Sequence, residues 1–189
     1  VVDENVLLPE PELMRQYIGH PSGKLVNLMD PNVPLMSGVV QNQDSYMKGK
    51  IAQRAFYERV PVVLEQAMQE FYDLTGRRYG LIEPYRLEDA EYAIVGMGGL
   101  VETAQATVDY LRASEGLRIG TLHVTSFRPF PGPRIVEALK HCRAVTILER
   151  MDNPLAESNP LTCEIKAAFA SALAWIQPYR KTDRLPEFF

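Results

Sequence analysis

Cysteine is nearly absent from this sequence: Cys142 and Cys163 are the two in 189 residues, with no C-x-x-C pair and no histidine at metal-ligand spacing from either. That argues against a disulfide framework and against an iron–sulfur cluster ligated by this chain alone. Two isolated thiols and no secretory signal pattern point instead to a reducing, cytoplasmic setting. Long apolar runs are missing too, and none approaches the roughly 20 residues that a membrane span needs. Basic charge is in deficit, with 20 Lys and Arg against 24 Asp and Glu, a net charge of -4 that speaks against a nucleic-acid surface. The one basic stretch, Lys48 to Arg59, is interrupted by apolar residues and by Glu58, and reads as a solvated helix face. A starting Met is absent as well: the chain begins at Val1, as a processed or excised piece of something longer would.

What is present is apolar content, 46% of the residues, enough for one full core with an arm left over. Residues 1–45 read as that arm, because Pro9, Pro11, Pro21, Pro31 and Pro34 with Gly19, Gly23 and Gly38 interrupt any long element. One short helix fits Pro11 to Ile18. Leu7, Leu8, Leu13, Met14, Ile18, Leu25, Val26, Leu28 and Met29 are too apolar for a disordered segment, so the arm is expected to lie across another surface.

Regular periodicity begins near residue 60. Val63, Leu64, Ala67, Met68, Phe71 and Leu74 follow the helical period after Pro61 and stop at Gly76. A short strand fits residues 79–84. Tyr92 to Gly96 is an apolar strand, followed by Met97-Gly98-Gly99 and a helix from Leu100 to about Ala113. Ile119 to Val124 is the next strand, Pro133 to Lys140 the next helix and Ala144 to Leu148 a further strand. Leu161, Ile165, Ala168, Phe169, Ala172 and Trp175 make a last amphipathic helix. Alternating strands and helices with tight connections predict an α/β fold, three-layer α/β/α with a mainly parallel sheet, over residues 46–178. Residues 179–189 read as a polar tail.

Catalytic patterns are weak. Gly96-Met97-Gly98-Gly99 sits where a dinucleotide loop would, but Val101 stands where the fingerprint needs a third Gly, and the next strand offers no acid for a ribose. His20, His123 and His141 are scattered, and the adjacency of His141 to Cys142 does not by itself make a dyad; a helix C-terminus explains His141 better. Neither Ser126 nor Ser158 lies in a Gly-x-Ser-x-Gly context. Glu149 and Asp152 follow a strand end, where ligands of open sheets gather, without a partner of matched spacing. Arg128, held between prolines and the rings of Phe127 and Phe130, suits bidentate contact with a carboxylate or phosphate; a clamp on a neighbouring loop or domain is the favoured role.

Four segments carry a family likeness. Ser37-Gly38-Val39-Val40-Gln41-Asn42-Gln43-Asp44 resembles the Gly-Thr-Ala-Gln-Asn-Pro-Asp segment that enters domain II of pyruvate:ferredoxin oxidoreductases. Glu91 to Gly98 and Val108-Asp109-Tyr110-Leu111 resemble the family's apolar strand, Met-Gly-Ser and Val-Asp-Tyr-Leu. Gly120 to Pro131 ends in Arg128-Pro129-Phe130-Pro131, and Val145 to Asn153 with Asn159-Pro160-Leu161 is similar to Val-x-Val-Leu-Glu-Arg followed by Glu-Pro-Leu. Gln43, Gly99 and Thr125 depart from the usual Pro, Ser and Arg and leave substrate identity within the family open.

The resemblance implies a transketolase C-terminal-like domain that accompanies the chemistry without carrying it. The family's enzymes decarboxylate a 2-oxoacid, pyruvate above all, on thiamine diphosphate, pass electrons through iron–sulfur clusters to ferredoxin or flavodoxin, and release an acyl-CoA. Thiamine diphosphate, Mg and the clusters are expected in partner domains or subunits, none bound by this chain alone, and the complete enzyme is expected to be a homodimer. No catalytic residue carries over; Arg128, Phe130, Gln41 and Asn42 are the candidates for inter-domain contact. The alternative is a free-standing flavodoxin-like domain that binds a nucleotide or CoA at the Gly96 to Gly99 turn.

Overall fold

A computed structural model describes residues 8–20, 29–35, 38 and 40–189. The arm residues Leu7, Leu25, Val26 and Leu28, and Ser37 and Val39 of the first family-like segment, lie outside the described residues. The chain divides into two compact units, Val1–Tyr79 and Gly80–Phe189.

The first unit is helical. Its elements are α1 (Pro11–Ile18), α2 (Gln43–Tyr57) and α3 (Val60–Thr75). Pro occupies the first turn of α1 and of α3, where its missing N–H costs nothing. Gly76 ends α3 at φ 70°, its N–H returning to Tyr72 O at 2.7 Å, the left-handed stop the sequence signals. Tyr17 of α1 donates its hydroxyl to Ala67 O at 2.8 Å, and its ring meets Phe71 edge-on at 5.3 Å, so α1 covers part of α3's apolar face. Even so, none of the described residues of this unit is buried.

The second unit carries the sheet: β1 (Ile82–Tyr85), β2 (Tyr92–Gly96), α4 (Leu100–Glu115), β3 (Ile119–Val124), α5 (Gly132–Leu139), β4 (Ala144–Leu148), α6 (Pro160–Leu173) and β5 (Glu187–Phe188). Strand order is β1-β3-β2-β4-β5; every pairing is parallel except that of β1 with β3. Register puts Ala93, Gly120 and Val145 in one row and Val95, Leu122 and Ile147 in the next, all on one face. That face packs on Ile135, Val136 and Leu139 of α5 and on Leu161, Ile165, Ala168, Phe169 and Ala172 of α6. The opposite face takes α4, which buries Val101, Ala104 and Val108. Tyr85 OH donates to the Asp109 carboxylate at 2.8 Å, tying β1 to α4. The unit is therefore a three-layer α/β/α domain with a mostly parallel five-stranded sheet.

Three details differ from the sequence reading. The helices spanning residues 43–75 belong to the first unit, whereas the reading joined them to the α/β domain from residue 46. Residues 187–188, read as part of a polar tail, pair with β4; Phe188 meets Phe169 edge-on at 5.4 Å, and one ring anchors a strand too short to show a period. Trp175, counted on the inward face of the last helix, lies past its end and is 64% exposed. Its N–H bonds Ala172 O at 3.2 Å and that of Ile176 bonds Ser171 O at 2.9 Å. This double closure of a helix end needs a left-handed residue, and Trp175 supplies it at φ 52°.

Candidate functional site

In a sheet of this order the chain leaves β2 towards β3 on one side and β4 lies on the other, so a crevice opens beyond the carboxyl ends of β2 and β4. A cavity of about 270 Å³ occupies it, lined by Met97, Leu100, Leu148, Glu149, Arg150, Met151 and Leu161. Its walls are mostly apolar. Glu149 has a structural role: its Oε2 accepts the Leu161 N–H at 2.9 Å, and its Oε1 the Thr162 N–H at 3.0 Å and the Thr162 hydroxyl at 2.8 Å. A carboxylate capping the start of α6 offsets the positive end of the helix dipole. Asp152 is exposed on the loop beyond.

The glycine turn on the other wall is held from β3. His123 Nε2 accepts the Gly98 N–H at 3.1 Å, which fixes its proton on Nδ1, 3.8 Å from Glu83. Gly98 is left-handed at φ 71°. Val101, where a dinucleotide fold needs glycine, is buried in the α4 contact with the sheet. His123 thus ties β3 to the glycine turn through a specific hydrogen bond.

Arg128 lies midway along the loop between β3 and α5. Its guanidinium stacks on the Phe127 ring at 4.3 Å, donates to Phe127 O at 2.8 Å and pairs with Glu164 of α6 at 2.5 Å. Phe130 meets Phe127 edge-on at 6.2 Å and packs against the core, and Ser126 Oγ donates to Pro129 O at 2.8 Å to close the loop. Arg128 is 60% exposed, so Arg128→Ala should cost the unit under about 1 kcal/mol, as exposed pairs do. Urea denaturation of the variant beside Glu164→Gln checks this; losses larger than that in both would mean the pair holds the loop by itself.

Gln41 and Asn42 belong to the first unit, at the start of α2. Asn42 O accepts the N–H groups of Ser45 at 3.1 Å and Tyr46 at 2.9 Å, while its side chain makes no capping bond. Gln41 lies against Gly49: a Cβ there would come within 2.5 Å of Gln41 Nε2. Arg128 and Phe130 are thus grouped within the second unit, and Gln41 and Asn42 within the first.

His141 and Cys142 do come close, Nε2 to Sγ at 3.8 Å, although sequence adjacency alone gave no reason for it. His141 Nε2 also lies 2.8 Å from Leu87 O, so it carries the proton and cannot act as a base towards the thiol. Burial pushes the Cys142 thiol up to about 11, with Arg184 opposing. A raised pKa favours the neutral thiol in the folded state, so this contribution to stability is present below about pH 9 and is lost as the pH rises towards 11. Iodoacetamide at pH 8 should modify exposed Cys163 and leave Cys142 until unfolding, which peptide mapping would read. Equal rates at both would show that Cys142 is not closed off.

Sequence reasoning missed Arg112. Its side chain donates to Asp89 at 2.7 and 3.1 Å, to Ile119 O at 2.6 Å and to Arg86 O at 2.8 Å, at the amino ends of the strands. This guanidinium holds the Asp89 carboxyl below its usual range. A helix Arg among surface charges gives no sequence signal for such a clamp. Among the described residues no three His, Cys, Asp or Glu side chains gather as a metal site, and no helix is long and apolar enough to cross a membrane.

The crevice, the capped α6 and the Arg128 loop follow the segments that carried the likeness, and comparison with known proteins agrees. Residues 90–184, just over half of the chain, match the family model described as pyruvate:ferredoxin oxidoreductase core domain II. A pyruvate-flavodoxin oxidoreductase of Rhodospirillum rubrum is 36% identical over 147 residues, which is 77% of this chain and 12% of that protein. Pyruvate synthase subunit PorA of Methanothermobacter thermautotrophicus is 36% identical over 65% of this chain and 32% of its own. PorA of Thermotoga maritima is 34% identical over 86% of this chain and 41% of its own. The chain therefore spans less than half the length of these curated relatives. It belongs to the pyruvate:ferredoxin oxidoreductase core domain II family.

Proposed function

We propose that this chain is the assembly domain of a thiamine-diphosphate-dependent 2-oxoacid oxidoreductase that decarboxylates pyruvate oxidatively to an acyl-CoA and delivers electrons to ferredoxin or flavodoxin. The observation that carries the reading is family membership in a chain that spans 12% of its long relatives and 32 to 41% of PorA subunits. The residues support it: Glu149 is engaged as a helix cap, His141 is hydrogen-bonded to Leu87 O, Cys142 is buried, and Arg128 pairs within the unit. Among the described residues no donor set gathers as a metal or cluster site, and on this reading thiamine diphosphate, its Mg and the iron–sulfur clusters belong to other domains or subunits of a cytoplasmic, homodimeric enzyme. Arg128 and Phe130, with Gln41 and Asn42, remain the proposed places of contact with neighbouring domains.

Native mass spectrometry of the polypeptide purified anaerobically from its own cells tests this. A large complex carrying thiamine diphosphate and iron–sulfur clusters is the expected result. A lone particle of this chain's own mass, free of cofactor, would overturn it. A second reading, a nucleotide or CoA site at the Gly96 to Gly99 turn, is favoured by the crevice beside it; about 270 Å³ is small for a dinucleotide. A calorimetric titration without heat against nucleotides, flavin and CoA would remove that reading.

A further inference from the structure

The first unit has helices and no buried residue among those described, and α2 is the most open of them: of its fifteen residues all but Ser45 and Gly49 are exposed. A helix of that length is marginal in water unless an apolar face is covered. Met47, Ile51 and Ala55 recur at four-residue steps and form one line along α2; Met47 is 68% and Ile51 57% exposed. Lys50 and Arg54 run along one flank of that line and Lys48 along the other, with Arg59 just past the helix end. Asp44 and Glu58 stand only at the two ends. The Lys50 ammonium lies 5.5 Å from the Tyr46 ring and the Arg59 guanidinium 5.5 Å from that of Phe56. None of the four cations has an ion-pair partner among the described residues. The reverse side is taken, since Gly49 lies opposite the Met47–Ile51–Ala55 line and Gln41 closes over it.

We propose that α2 is a docking helix, and that it seats in an apolar groove walled by Asp and Glu side chains on another domain or subunit of the same oxidoreductase. The inference rests on the assembly reading and names its contact. Charge decides the occupant first. A second copy of α2 would set four unpaired cations against four, which a two-fold contact disfavours, whereas a carboxylate-walled groove complements all of them. Length decides it next. The relatives hold most of their residues outside the matched region, so the same enzyme has ample polypeptide to form the groove.

The test uses the whole oxidoreductase. Zero-length carbodiimide coupling followed by peptide mapping should join Lys48 or Lys50 to a carboxylate outside residues 1–189. Hydrogen exchange should show α2 amides protected in the whole enzyme, and Ile51→Glu should speed their exchange about tenfold or more while the sheet amides of Val95 and Leu122 keep their protection. Coupling only to carboxylates of residues 1–189, exchange in α2 that Ile51→Glu does not change, or protection that appears only with phosphatidylserine vesicles would each overturn the proposal. A chain that fails to copurify with any thiamine-containing enzyme defeats the assembly reading; one that copurifies with α2 unprotected defeats only this inference.

Discussion

Phe169→Ala is expected to destabilise the α/β unit by about 3–5 kcal/mol, read as a fall in the urea midpoint at unchanged slope. Phe169 is fully buried, among the largest such side chains in the chain, and sits on the α6 face that packs on the sheet. Truncation removes the transfer free energy of the ring and leaves a cavity between α6 and the strands. It also removes the edge-on partner of Phe188, which holds β5 to the sheet. Two readouts should therefore move together: global stability, and the exchange of the Glu187 and Phe189 amides, which bond Arg143 O at 2.9 Å and Val145 O at 3.0 Å. Phe169→Leu keeps most of the volume and should cost under about 1.5 kcal/mol. A loss below about 1 kcal/mol for the alanine variant would mean that β5 and α6 do not share this core.

Much of the layered fold was legible because it rests on local periodicity. The apolar spacing of α3, the span of α4, the strands β2, β3 and β4 and the glycine stop at Gly76 lie close to where pattern and turn chemistry place them. What escaped depends on contacts distant in sequence. The antiparallel pairing of β1, the recruitment of residues 187–188 by a single phenylalanine and the exit of Trp175 from α6 are set by what the segment meets, and no local period encodes that. The candidate site divides in the same way. Arg128 was legible because prolines and aromatic rings frame it, but its partner Glu164 lies 36 residues on. Glu149 drew attention as a strand-end carboxylate; only the start of α6, twelve residues later, shows why it is there.

Gly120→Ala should cost the unit about 3 kcal/mol, the upper part of the range for overpacking a closed site. Gly120 of β3 pairs with Ala93 of β2, and a Cβ on Gly120 would stand 2.5 Å from Arg86 O and 2.8 Å from both the Arg86 carbonyl carbon and Leu87 Cδ2. Relief by moving a flexible side chain is not available, because the closest atoms are backbone. That backbone is itself fixed: Arg86 is left-handed at φ 52°, and its carbonyl is gripped by Arg112, which also holds Ile119 O beside the glycine. The clamp that stabilises the native turn is thus what makes an added methyl expensive. Arg112→Ala alone should cost about 2–3 kcal/mol for its lost charged hydrogen bonds. In the double variant the freed Arg86 carbonyl can withdraw, so its loss should fall short of the sum of the two single losses by about 1 kcal/mol or more. Additivity within about 0.5 kcal/mol in a double-mutant cycle would show that the methyl is accommodated elsewhere and that Arg112 does not hold the Arg86 turn against β3.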